Sequence, residues 1–304
     1  MLGTVTARLA LVAAVVGAFA LGGPVRAAAG GGYANPQLLV ETDELARMLG
    51  APAVRIVDVR SGTVGALAYR AGHVPGAAYL DAAELDDPAA NADGQPIRPA
   101  AAAVLFGRLG IDHETTVVAY DAAGGVLAAR LFFVLEYFGH ERVRVLNGGL
   151  GKWQREGRPL EVAAPTIRPL TFDPRPRRDL VATAAEVQAS LGRADACLID
   201  ARSPAEFAGT EKRAARGGRI PGAANVDWER TMTRDGTFKD ADALRALFEG
   251  AGMRPEQTAV VYCQSGNRSA QDYLALRLLG HSRIRNYDGS WMEWGNTPTL
   301  PVEK

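Results

Sequence analysis

The chain has 304 residues, 47% of them hydrophobic, and 34 basic residues balance 34 acidic ones to a formal net charge of zero. That balance argues against a polyanionic partner such as a nucleic acid. The length exceeds what one compact core usually serves, so a soluble globular protein of two domains, each of about 150 residues, is expected.

In chain order, Arg8 precedes an uncharged apolar run from Leu9 to Leu21, and Val25-Arg26-Ala27 then offers the small or moderate residues that a signal peptidase reads. Residues 1–27 therefore read as a cleaved secretory signal, because the apolar run falls short of the ~20 residues needed to cross a bilayer. The mature protein is expected to be exported, periplasmic or secreted. No cysteine for lipid attachment lies near the cleavage site, so no stable membrane contact is expected.

The next elements occur twice. "VRIVDVR" (Val54 to Arg60) lies over "ACLIDAR" (Ala196 to Arg202), and "AGHVPGAA" (Ala71 to Ala78) over "GGRIPGAA" (Gly217 to Ala224). "VVAYDAAG" (Val117 to Gly124) matches "VVYCQSG", and "FGHERVRVLNGGLGKW" (Phe138 to Trp153) matches "LGHSRIRNYDGSWMEW" (Leu279 to Trp294). Short Val/Ile-rich runs alternate with amphipathic segments such as "VLAARLFFVLEYF" (Val126 to Phe138), which predicts an α/β class in which parallel strands are covered by helices. The stretch from Glu161 to Asp179 carries four prolines and no periodicity, as an extended connector would. The predicted domains are 36–160 and 179–304, joined by a linker at 161–178. Ligands of open α/β sheets gather beyond the carboxyl ends of strands, and Asp121 and Cys263 both fall at such an end.

Export raises the prospect of a Cys197–Cys263 disulfide. Cys197 opens its strand and Cys263 closes its own, so parallel strands would hold the sulfurs farther apart than the ~7 Å Cα limit for bridging. Cys197 reads as buried apolar filler. Cys263 stands where a strand meets a helix N-terminus, facing unpaired backbone N–H groups and the positive end of the helix dipole. Gly266 lets the backbone curl into an anion-binding nest, Arg268 adds a charge, and Ser269 is expected to cap the helix. Such surroundings can lower a thiol pKa from ~8.5 into the range ~3.5 to 7.5. Gln264, Ser265 and Asn267 complete a donor-rich loop that a purely structural turn does not require.

The paired aspartate strands, the "PGA" turns, the cysteine loop and the "YDGSWMEWG" tail (Tyr287 to Gly295) together resemble the two-domain rhodanese sulfurtransferases, from about Leu39 to Trp294. The resemblance implies two tandem rhodanese-like domains, each a parallel sheet flanked by helices, with an inactive N-terminal copy and a catalytic C-terminal one. It also implies a double displacement: Cys263 takes a sulfur from a donor as a persulfide and passes it to an acceptor. Amides from Gln264 to Ser269 would stabilise the anionic sulfur in both halves. Arg202 and Arg268 are assigned to the donor's anionic end, since guanidinium forks suit oxyanions; for Arg202 the alternative is a pair with Asp200, itself expected to anchor loops. Trp291 and Trp294 are either pocket walls or core.

"CQSGNR" matches neither the cationic loop typical of thiosulfate enzymes nor the cysteine-glycine-serine-glycine loop typical of 3-mercaptopyruvate enzymes. Glu206 stands where mercaptopyruvate enzymes present a carboxylate-binding arginine, so thiosulfate is the expected donor and 3-mercaptopyruvate the alternative. A phosphatase loop needs five residues between cysteine and arginine, whereas four separate Cys263 from Arg268. A non-catalytic rhodanese-like binding module would be preferred had Cys263 been replaced, as its counterpart Asp121 is. His73, His113, His140 and His281 are scattered without ligand spacing, and no phosphate-binding glycine motif occurs, so neither metal nor cofactor is expected. Arg219 replaces a histidine common in the family and reads as structural. The expected partners are a small-molecule sulfur donor and acceptor, with the protein itself a monomer.

Overall fold

In the computed structural model, which describes residues 32–91 and 96–304, the Val/Ile-rich runs of the first copy become β1 (Leu39–Val40), β2 (Val54–Arg60), β3 (Ala78–Asp81), β4 (Thr116–Tyr120) and β5 (Val143–Leu146). They order as β1-β5-β4-β2-β3. The second copy supplies β6 (Ala196–Asp200), β7 (Ala224–Asn225), β8 (Thr258–Tyr262) and β9 (Ile284–Asn286), ordered β7-β6-β8-β9. Every ladder between these strands is parallel. The second sheet repeats the first, except that the place of β1 shrinks to a single parallel bridge from Val181 to Asn286. Strands buried on both faces need apolar residues at consecutive positions, and Val117 to Tyr120 are all buried. The expected signal segment lies outside the described residues.

The two central strands, β4 and β8, each feed a loop and then a twelve-residue helix, Val126–Tyr137 and Asn267–Leu278. These helices are buried nearly all round and pack against each other across the two copies. Phe133 meets the Tyr273 ring edge-on at 5.0 Å, the Tyr273 hydroxyl donates to Glu136 Oε2 at 2.7 Å, and Arg277 pairs with the same carboxylate at 2.5 Å. One apolar core consequently runs through both copies, with a smaller cluster behind each sheet.

The stretch 161–178 is extended, as its prolines suggest, but it is not a free connector. Glu161 closes the first copy: it bridges His73 and its side chain accepts the Gly76 N–H, just as Glu303 bridges Arg219 and accepts the Gly222 N–H in the second. Arg219 also pairs through its guanidinium with Glu303, a structural role as expected. Farther along, Phe172 is buried against Phe106, and the Arg175 and Arg177 amides bond to the carbonyls of Phe138 and Tyr137. The prolines spare this strip the amide donors it would otherwise have to satisfy, and its apolar residues hold it to the first copy.

Candidate active site

β8 delivers the chain to Tyr262, and Cys263 is the first residue beyond the ladder. Gly266 then N-caps the following helix at φ 82°, and a Cβ there would lie 2.5 Å from Asp288 Oδ1, so both conformation and space require glycine. The loop is held from below by Ser290. Its Oγ accepts the N–H of Cys263 at 3.1 Å and of Gly266 at 3.2 Å while donating to the Tyr287 carbonyl at 2.7 Å. Ser290 has φ 51°, the one non-glycine residue at positive φ among those described, the kind of local strain that concentrates at working sites. The carbonyls of Cys263 and Gln264 accept the Trp291 and Met292 amides at 3.0 and 2.9 Å. These bonds orient the loop, and the N–H groups of Asn267, Arg268 and Ser269 fall in the helix's first turn, where no intrahelical acceptor exists.

Ser269 does not cap the helix, contrary to expectation. The cap is Gly266, three residues earlier, and the Ser269 hydroxyl instead sits 3.7 Å from Cys263 Sγ and 2.7 Å from Asn286 Oδ1. Cys263 is 1% exposed, so the sulfur forms the floor of the loop rather than a surface thiol, and a donor must part the polar side chains over it. Gln264 reaches the Arg213 carbonyl at 3.0 Å, Asn267 reaches Asp86 Oδ2 at 3.4 Å, and Ser265 is half-buried. The amide oxygens Gln264 Oε1 and Asn267 Oδ1 are buried without a hydrogen-bond partner. Both cysteines are free; Cys197 lies opposite Ala259, four positions before Cys263 on the neighbouring strand, roughly 13 Å away along the sheet.

The first copy shows what this loop geometry holds. Asp121 occupies the position of Cys263, and its carboxylate accepts four backbone N–H groups: Ala123 and Gly125 on Oδ1 at 2.8 Å each, Leu127 and Ala128 on Oδ2 at 2.7 and 2.9 Å. Burial outweighs the pull of the amides and raises this carboxyl's pKa, yet two donors on each oxygen fill its lone-pair sites, the geometry of an anion in an amide nest. The second loop is one residue shorter. Tyr120 and Tyr262 are 142 positions apart, but the left-handed glycines Gly125 and Gly266 only 141.

Arg268 is beside the sulfur but not free. Its Nη1 and Nη2 bind Glu206 Oε2 and Oε1 at 2.5 and 2.8 Å, and Arg213 Nη1 lies 3.7 Å from the same carboxylate. Burial pushes the Glu206 carboxyl up, but Arg268 and the Ser203 amide outweigh it and hold its pKa down at about 2. The assignment of Arg202 to the donor is corrected. Arg202 is buried, binds Asp200 through Nε and Nη2 and the Gly218 carbonyl through Nη2, and stacks over Trp291 at 4.4 Å. The sulfur-free copy carries the same pair, Arg60 with Asp58, which marks it as a device that ties down the end of the strand. Asp200 also accepts the Arg202 amide, as a loop anchor should. Trp291 and Trp294 are core.

Several residues of the site were not singled out in the sequence. Ser290 and Asp288 lie within the tail motif, where a serine after a glycine gave a faint turn signal. Arg130 and Asp86 come from the other copy, and no local pattern links them to Cys263. Asp272, on the loop's own helix, is fully buried with neither oxygen hydrogen-bonded, and burial, then Asp227, Cys263 and Asp200, push its carboxyl far up. No cluster of histidine, cysteine and carboxylate side chains suited to a metal occurs among the described residues.

A sulfur at a strand end over first-turn amides, in one of two copies of a parallel α/β unit, coincides with two matches to the Rhodanese-like domain, at residues 41–156 and 183–297. The chain belongs to the rhodanese family. Among curated relatives of this rhodanese, a thiosulfate sulfurtransferase of Pseudomonas aeruginosa is 37% identical over 281 residues, 89% of this chain and 98% of that protein. The sulfur carrier protein TtuD of Thermus thermophilus is 38% identical over 288 residues, 90% and 99% respectively. Among solved structures, the 3-mercaptopyruvate sulfotransferase SseA of Escherichia coli superposes with a TM-score of 0.75 at 33% identity, covering 84% of this chain and 98% of that one. The rhodanese is a sulfurtransferase, and its two copies are the tandem domains of that family.

Proposed function

We propose that this rhodanese takes the outer sulfur of thiosulfate onto Cys263 and passes it to a thiophilic acceptor such as cyanide. The Cys263 thiolate attacks the outer sulfur, the S–S bond of the donor breaks, and sulfite leaves with its electron pair. The acceptor then attacks the terminal sulfur of the persulfide, and the pair of that S–S bond returns to Cys263 as thiolate. No proton need move at the protein, so the absence of a general base beside Sγ is no obstacle.

The observation that carries this reading is the place of Cys263 between a strand end and a helix's first turn. Its counterpart Asp121 is held as a carboxylate by four N–H groups, and we infer that the unpaired first-turn amides of the second copy serve an anionic sulfur in both half-reactions. Thiosulfate as donor is supported by the thiosulfate sulfurtransferases among the relatives; Glu206 holds the Arg268 fork and withholds it from either anionic donor. The likeness to SseA supports 3-mercaptopyruvate as a second reading. Purified protein mixed with thiosulfate and cyanide should release thiocyanate, with Cys263→Ser abolishing it; faster turnover of mercaptopyruvate than thiosulfate would exchange the two readings. The apolar run from Leu9 to Leu21 with its cleavage signal supports export to the periplasm or beyond, which fractionation of the native organism's cells would test, and sizing of the mature chain would test the proposed monomer.

A further inference from the structure

The catalytic loop is clamped by a charge that belongs to the other copy. Arg130, on the helix Val126–Tyr137 of the sulfur-free copy, is 0% exposed, yet its guanidinium reaches the second copy's loop. Nη1 binds Asp288 Oδ1 and lies 3.5 Å from the Gly266 carbonyl. Nη2 binds Asp288 Oδ2 at 3.0 Å and Asp86 Oδ1 at 2.6 Å. Asp86 in turn accepts from Asn267 Nδ2, so two side chains of the first copy hold two consecutive residues of the loop.

Gly266 is the pivot of that loop, and its surroundings leave it no slack. Its N–H is taken by Ser290 and its carbonyl faces Arg130 and Asn286 Nδ2, the latter at 3.4 Å. A methyl group on its Cα would lie 3.0 Å from Arg130 Nη1. In a planar trans peptide the carbonyl and the following N–H point in opposite directions. Fixing the Gly266 carbonyl toward Arg130 therefore fixes the direction of the Asn267 N–H, the first amide of the helix that follows the Cys263 loop. Burying a guanidinium costs several kcal/mol unless it is fully paired. Here Nε has no acceptor while both Nη atoms are engaged, so the contacts at the loop end are the ones this burial serves.

We propose that Arg130 is a positioning residue for the sulfur-transfer reaction: the copy without a sulfur orients the amide nest of the copy that has one. The proposal rests on the sulfurtransferase reading above. Its test uses the full chain with Arg130→Met, Arg130→Lys and the double variant Arg130→Met/Asp288→Asn, which leaves no unpaired buried charge between these two positions. Three quantities are measured: thermal midpoint, kcat and KM with thiosulfate and cyanide, and the pH profile of Cys263 alkylation by iodoacetamide.

Arg130→Met is expected to lower kcat about 10- to 100-fold, the scale of an ångström-sized misplacement, with KM for thiosulfate changed less than about threefold and the alkylation midpoint moved to higher pH. The double variant should regain much of the thermal midpoint without regaining kcat, and Arg130→Lys, which keeps one charged contact, should fall between. A double variant that is stable and turns over within about twofold of wild type, or an alkylation profile that does not move, overturns the proposal by showing Arg130 to be structural only. Should Arg130→Met not fold, the other two variants carry the same comparison. A wild type inactive on thiosulfate would strike the donor reading alone, since the alkylation profiles still decide the role of Arg130.

Discussion

Glu206 offers the sharpest test of how this site balances its charges. Its carboxylate is 3% exposed, accepts both Nη atoms of Arg268 and the Ser203 amide, and has Arg213 at 3.7 Å. With its pKa held at about 2, against ~4.3 for an unfolded-chain glutamate, it contributes about 3 kcal/mol of stability at pH 7. The sign follows from the depressed value: the contribution is complete above the unfolded pKa and is lost as pH falls toward the folded one. Glu206→Gln should therefore lower the unfolding free energy by about 3 kcal/mol at pH 7 and by only about 1 kcal/mol near pH 3. Urea unfolding of both proteins at the two pH values measures this, provided m is unchanged. An equal loss at both pH values would refute the electrostatic account in favour of simple packing, and no loss at pH 7 would refute the pairing itself.

Gly266→Ala should cost about 1–3 kcal/mol for its strained conformation and cut turnover by at least about 100-fold, because the new methyl meets Asp288 Oδ1; melting and thiocyanate assays read the two effects separately. Asp272 behaves oppositely to Glu206. Burial and then Asp227, Cys263 and Asp200 raise its folded pKa, so the native state holds a proton that the unfolded chain releases, and stability falls as pH rises above ~3.9. Asp272→Asn should thus gain more than about 1 kcal/mol at pH 8 and nothing near pH 4, and a gain of equal size at both would refute the assignment to ionisation. Cys197→Ser should leave sulfur transfer within about twofold of wild type, since the two thiols are unbridged; loss of activity with an unchanged melting midpoint would show that the pair acts together.

The duplication, the α/β class and the position of Cys263 between a strand and a helix were legible in the sequence because each is written in short-range pattern. Apolar runs of strand length, the recurring aspartate and "PGA" turns, and a cysteine between a strand and a helix all lie within a few residues of one another. The connector was legible in its prolines but not in its packing. Nothing local indicates that Phe172 fills a gap beside Phe106, or that Glu161 closes the first copy as Glu303 closes the second.

The site divides along the same line. Sequence order alone placed Gln264 to Ser269 in the loop and first turn that follow the sulfur, since they are its immediate neighbours in the chain. Which cation serves the donor was beyond its reach, because a guanidinium extends far enough to choose among several carboxylates. Folding gave Arg202 to Asp200 and Arg268 to Glu206. Ser269 moved from the cap to the sulfur because Gly266, at positive φ, capped the helix three residues earlier. Arg130 lies 133 positions before Cys263 and meets its loop only because two buried helices, one from each copy, pack against each other. Chemistry encoded by neighbours in the chain could be read from the chain; chemistry made by contacts between the copies exists only once their shared core has formed.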